Sequence, residues 1–150
     1  MATYSFLDTS LSINGPGGSF TIGGAGTASA EEGWSVEAAE ANTMTIGAGG
    51  SAMHSMHGDQ SGTVTVTLLK TSPVNQMLMN LYDFQKGSSA NWGQNVLTGR
   101  DVARGDFITG RQGAFKKRPK LTYAKEGGTN EWTFDIGILS DQLGSGAPSL

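Results

Sequence analysis

The sequence predicts a mainly β fold, a β-sandwich or barrel with one flanking α-helix at about Pro73 to Phe84. Three observations carry this. Most patterned stretches alternate polar and apolar residues, the period of two that gives a strand one dry face and one wet face. A helical period follows Ser72-Pro73 and is found nowhere else. The 23 glycines gather at the breaks between patterned stretches, without the fixed period of collagen, as tight turns between short strands require.

The elements follow in order. From Ser5 to Ile13, Leu7, Thr9, Leu11 and Ile13 alternate with Asp8, Ser10 and Ser12, a first strand. Asn14 to Gly18 is a turn, and Phe20 and Ile22 mark a second strand. After a Gly/Ala loop at Gly23 to Ala30, Trp34, Val36 and Ala38 alternate with Ser35 and Glu37, and Thr43 to Ile46 is another short strand. Gly47 to Ser61 is glycine-rich and poorly patterned, a loop or an irregular hairpin. Thr63, Thr65 and Thr67 then alternate with Val64, Val66 and Leu68. Ser72 can cap the free N–H groups of a helix, and Pro73 suits its first position. Val74, Met77, Leu78, Leu81 and Tyr82 form one helical stripe, with Gly87 as the stop. Val96 to Val102 and Asp106 to Thr109 read as strands; Ala114 to Ala124 reads as extended, with Pro119 placing it at an edge. In the last strand, Glu131 to Leu139, Trp132, Phe134, Ile136 and Ile138 face one way. Residues 1–143 form one expected domain, and 144–150 a flexible tail.

A chain of 150 residues buries about 68–70% of its unfolded surface, enough for a core without metal or disulfide. Cysteine is absent, which leaves folding compatible with a reducing compartment. Met1-Ala2-Thr3-Tyr4 lacks the basic and apolar regions of a signal peptide, and no apolar run reaches membrane-spanning length. The formal net charge of -3 hides a split. No Lys or Arg precedes Lys70, whereas Asp8, Glu31, Glu32, Glu37, Glu40 and Asp59 do. The split fits two surfaces that meet within one fold, or complementary faces for self-association.

Motifs for chemistry fail on their context. His54 and His57 are the only histidines; with no cysteine they fall short of a zinc site even with Asp59 as a third ligand. Gly47 to Ala52 imitates a dinucleotide fingerprint but lacks the following helix and the later acid. Lys116, Lys117, Arg118 and Lys120 resemble a nucleic-acid patch, yet Phe115, Leu121 and Tyr123 interleave with them as on an edge strand. Glu31 and Glu32 are adjacent, so on a strand their carboxylates diverge. Trp34 and Trp132 read as core, and Trp92, in a Gly/Ser/Asn loop, as an exposed contact. No cofactor or metal and no enzymatic activity is expected.

The runs TMTIGAGGSAMHSMH, SGTVTVTLLKTSPVNQMLMNLYDFQ, NWGQNVLTGRD, GDFITGRQGAFKKRPKLTYAKEGG and EWTFDIG resemble the tail-tube proteins of contractile-tailed bacteriophages. The likeness extends from YSFLDTSLSINGPGGSF to about Leu143; LLKTSPVN and AFKKRPKLTYA are its most specific parts. The resemblance implies a β-sandwich with one flanking helix, related in architecture to type VI secretion tube proteins. It implies hexameric rings stacked into a hollow tube that conducts the genome inside a contractile sheath. Sheath, baseplate and tail-terminator proteins would be its partners, and phage DNA would pass through the lumen without specific binding. The protein would reside in the virion, assembled in the host cytoplasm and independent of membranes.

A conduit should give DNA nothing to grip, so its wall should be polar, weakly acidic and not basic. The strand faces supply Asp8, Ser10, Ser12, Thr63, Thr65 and Thr67 for it, joined by Thr43 and Thr45. The long segment after Gly47 should make contacts between subunits or rings, with Met53, Met56, His54 and His57 as the contacting groups. Lys116, Lys117, Arg118 and Lys120 should meet Glu31, Glu32, Glu37, Glu40 and Asp59 of a neighbour. Two alternatives remain open: a small β-rich carbohydrate- or protein-binding module using Trp92, and a hydrolase using His57 and Asp59.

Overall fold

The computed structural model describes residues 3–39 and 41–146. Alternating sequence becomes nine strands among the described residues: β1 Thr9–Gly15, β2 Gly18–Gly24, β3 Ser29–Ala38, β4 Thr43–Ile46, β5 Ala52–Ser55, β6 Gly62–Leu69, β7 Asn95–Asp101, β8 Asp106–Lys117 and β9 Thr129–Gln142. Seven form one antiparallel sheet in the order β2-β1-β7-β8-β9-β6-β3, and β4 and β5 pair only with each other. The main sheet curls into a half-barrel. Its edges approach where the Gly24 N–H donates to Ser29 Oγ at 3.3 Å. Inside the curl, the Trp34 indole of β3 lies over Gly99 of β7, where any Cβ would strike the ring.

The helix α1, Val74–Lys86, closes the concave side. Ser72 prepares its start: the Val74 N–H donates to Ser72 Oγ at 3.3 Å, and the same hydroxyl donates to the Thr27 carbonyl at 2.6 Å. The buried face is Val74, Leu78, Leu81 and Gln85. It packs into one core with Leu11, Ile13, Val64, Val66, Leu97, Phe115, Trp132, Phe134 and Ile136. The expected stripe holds except at Met77, which is exposed, and Tyr82 is half-buried against the core. The polar Gln85 takes an inward place because Asn95 matches it. Gln85 Nε2 donates to Asn95 Oδ1 at 2.7 Å, and Asn95 Nδ2 returns a bond to Gln85 Oε1 at 2.8 Å. Gln85 also donates to the Pro16 carbonyl, so this clasp ties helix end, β7 and the β1–β2 turn together.

Two expected boundaries move. Asp8 belongs to a 3-10 turn, Phe6–Asp8, that precedes β1. The pieces Asp106 to Thr109 and Ala114 to Ala124 are one strand as far as Lys117; β7 flanks it only up to Gly113, so among the described residues Ala114 to Lys117 pair with β9 alone and lie at an edge, as Pro119 implied. A bulge hid this continuity. Gln112 sits at φ 55, and Arg111 and Gln112 are both exposed, which breaks the period of two. Across the same kink in β9, Leu139 rather than Ile138 packs on the core.

Candidate functional site

Among the described residues no group of His, Cys, Asp and Glu could hold a metal, and no helix is long and apolar enough to cross a membrane. The features that remain are surfaces, and they are three.

The first is the β4–β5 hairpin. Its register pairs Met44 with His54 and Thr45 with Met53. Every residue of β4 is exposed, as are Ala52, Met53 and His54 of β5. Met56 just beyond is 92% exposed. No Asp, Glu, Lys or Arg occurs from Ala41 to Gly58. His57 is tied back to the hairpin base, where its N–H donates to Asn42 Oδ1 at 3.1 Å and its Nε2 lies 3.3 Å from Thr43 Oγ1. Asp59 is likewise engaged locally. It accepts from the Ser61 hydroxyl at 2.6 Å and the Ser61 N–H at 2.9 Å, and these bonds hold its carboxyl below the usual carboxylate range. Neither residue has the company a hydrolase would need.

The second surface is the convex face of the main sheet. Cross-strand register lines up Thr21, Ser12, Thr98, Thr109 and Ser140 on five successive strands. On the other half of the sheet, Ser35, Thr65 and Thr133 form a second row in register, of which Thr133 is buried. Beside it Glu37, Thr63 and Asp135 stand in register. Arg100 is opposite Ser10, and its guanidinium lies over the Phe107 ring. Ser10, Ser12, Thr63 and Thr65 thus share one face as their alternation implies, whereas Thr67, on the same side of β6, is buried and offers no wall to a lumen. Asp8 does not share that face: its carboxylate meets Arg104 at 3.2 Å. Thr43 and Thr45 stand on the hairpin, apart from this sheet. The exposed Arg100 and Arg111 also make the face mixed in charge rather than weakly acidic.

The third surface lies beside α1. Lys116, Lys117 and Arg118 are exposed at the end of β8 and, with Met79, Tyr82 and Leu121, line a shallow groove. Arg118 sits 5.7 Å from the Tyr82 ring centre, and Lys86 sits 5.3 Å from that of Trp92, spacings suited to cation–π attraction. Trp92 itself is half-buried, edge-on to Tyr82 at 5.8 Å, so the freely exposed platform expected of it is absent. Lys120 is exposed just past the groove. At the other end of β8, Glu31, Glu32 and Asp106 share a cavity of about 350 Å³ with Tyr4, Trp34 and Arg100. Glu37 lies farther along β3, and Glu40 lies outside the described residues.

One buried ion cluster has almost no signature in the sequence. Arg104, buried at 7% exposure, donates to Asp101 at 2.5 Å, to Asp8 at 3.2 Å, and to the Thr3 and Ser5 carbonyls. It staples the N-terminal segment to the β7–β8 turn, and the Asp101 hydrogen bond holds its proton more tightly than usual. The spacing Asp101-x-x-Arg104 was its only trace in the sequence.

Solved structures share this fold. A tail protein of an empty GTA particle, refined with C6 symmetry, aligns at TM-score 0.57 and 14% identity, over 93% of this chain and 99% of that one. The tube-terminating cap of the anti-feeding prophage aligns at 0.54 and 8% identity, over 95% and 94%. A chain of the PVC sheath-tube complex, an extracellular contractile injection system in its extended state, aligns at 0.53 and 10% identity, over 89% and 88%. No curated protein matches the chain in sequence. The model of the family described as Bacteriophage PhiTE tail tube protein matches residues 1–144. The chain belongs to that family: it is a structural subunit of a phage tail tube, a component of the virion and not an enzyme.

Proposed function

We propose that the subunit assembles into hexameric rings that stack as the hollow tube of a contractile tail, with the convex sheet face turned toward a bore through which the genome passes. The observation that carries the assembly is the β4–β5 hairpin. A two-stranded ribbon is marginal in water by itself, and this one leaves Met44, Ile46 and Met53 between 56% and 61% exposed. Such a ribbon gains its stability from a second copy. Met53, His54, Met56 and His57 are the contact groups, supplying adaptable apolar surface with neutral or weakly basic hydrogen-bonding partners.

The hydroxyl rows support the orientation. Phosphate-rich DNA binds cationic walls through counterion release, whereas Ser and Thr side chains exchange hydrogen bonds with water and with a passing strand almost evenly. Arg100 and Arg111 stand on the same sheet as Glu37 and Asp135, so the mixed charges offset one another. The C6 symmetry of the GTA tail supports six-membered rings, the sheath-tube complex supports a surrounding sheath, and the tube-terminating cap supports a terminator at one end. A baseplate at the other end and assembly in the host cytoplasm complete the reading.

Electron microscopy of the concentrated, purified protein tests it. Hollow tubes or six-fold rings are the expected result, and a monodisperse monomer at every concentration overturns it. Thr65→Lys then tests the bore: tubes still form, but phage carrying the variant eject their genome more slowly. Normal ejection would move this face out of the lumen.

A further inference from the structure

The charge split resolves into two ends of one strand. Lys116 and Lys117 are the last residues of β8, and Asp106 is the first. Twelve residues of extended chain hold these ends roughly 35 Å apart, or somewhat less with the bulge. Glu31, Glu32 and Asp101 join Asp106 at this end, which stays acidic on balance although Arg100 lines the same cavity. Within one molecule the two groups therefore cannot meet. Nor are the cations at the groove neutralised otherwise: among the described residues the ion pairs are those of Arg104. Arg118 and Lys86 rest over aromatic rings, not carboxylates.

We infer that the groove between α1 and the end of β8 is a docking site for a second copy of this chain, which presents its Glu31, Glu32 end. This inference rests on the tube reading above and names the contact that propagates it. The groove offers Tyr82 and Met79 as an apolar floor and Lys116, Lys117 and Arg118 as a cationic rim. The incoming end offers Tyr4 beside its carboxylates, so both apolar and charged parts are matched. Because the two patches differ, the contact is heterologous. Each copy keeps one end free for the next, and such contacts close into rings or run on as filaments. Opposite charges also orient the encounter, and a reversed approach would set like charges together.

A charge-exchange experiment tests this. Variant one carries Lys117→Glu and Arg118→Glu; variant two carries Glu31→Lys and Glu32→Lys. All four side chains are exposed, and circular dichroism with thermal melting confirms that each variant is folded. Each alone should lose sedimentable tubes by about tenfold or more, since its contact sets like charges together. Mixed in equal amounts, the two should recover them: alternating copies offer a native pair at one contact and an exchanged pair at the next. The milder Lys117→Gln and Glu31→Gln should assemble but lose yield at lower salt than the wild type. Tubes from either charge-reversed variant alone would overturn the docking site, as would folded variants that fail to recover on mixing. Variants that form tubes but no longer take up a sheath would reassign the groove to that protein. Failure of the wild type to assemble would instead strike the tube reading itself.

Discussion

The main sheet with its helix and the β4–β5 hairpin are built from similar residues and reach opposite ends. Both are strands with apolar side chains on alternate positions. In the main body Val64, Val66, Trp132 and Phe134 are almost fully buried, and the helix supplies Leu78 and Leu81 to cover them. In the hairpin Met44, Ile46 and Met53 stay more than half exposed. The difference separates a body that gets its stability from its own core from a ribbon that, on the tube reading proposed above, gets it from a neighbour. It also explains the choice of side chains. The body is rich in β-branched and aromatic groups that lock into one packing, while the hairpin sets the adaptable Met44 and Met53 beside Ile46.

The strongest way to break this comparison is to mutate the body. Phe134→Ala should cost about 3–5 kcal/mol and Leu81→Ala about 2–5 kcal/mol, through lost burial and the cavity left behind. Denaturant titration reads both, and an unchanged midpoint would show that the helix does not cover the sheet. Next comes the buried amide clasp. Gln85→Ala or Asn95→Ala should cost about 1–3 kcal/mol, because each leaves the other amide without its partner. The double variant should cost less than the sum of the two, and strict additivity in that cycle would mean that the amides do not act as a pair.

The hairpin should behave in the reverse way. Met53→Ala should stay within about 0.5 kcal/mol of the wild type, and deleting Ala52 to His57 should leave the melting curve in place while tubes vanish. A deletion variant that builds normal tubes would remove the hairpin from the interface. The smallest effect is expected at Asp59. Its pKa is lowered in the folded chain by the Ser61 hydrogen bonds, so its contribution is complete above the ordinary value of 3.8 and is lost as the pH falls below it. Asp59→Asn should flatten that acid limb slightly, and an identical limb would place the Ser61 contacts in the unfolded chain as well.

Much of the body was legible before any coordinates. The alternation from Thr63 to Leu68 and from Trp132 to Ile136 names the buried faces of β6 and β9, because one face had to be dry. The Ser72-Pro73 start of the helix follows from the chemistry of helix ends. What failed has local causes. In the helix stripe Val74, Leu78, Leu81 and Tyr82 pack on the core as expected and Met77 is exposed, while Gln85 is buried by virtue of Asn95, a partner ten residues away that no periodicity reveals. The bulge at Gln112 broke the period of two and cut β8 in two, although the edge expected of its basic end is there, beyond the reach of β7. Asp8 left the sheet wall because Arg104, far away in sequence, draws it into an ion pair. The surfaces were legible as compositions, uncharged here and basic there. Their positions at opposite ends of β8 were not, since only the strand order sets that distance.

A helical reconstruction of the assembled tube, at a resolution that traces the chain, tests the division of labour most directly. Ser12, Thr98, Thr109 and Thr65 should face the bore, and the β4–β5 hairpin should be ordered against a second copy. A bore lined by α1 and Lys116 to Arg118, or a hairpin standing free in solvent within a complete tube, would contradict it.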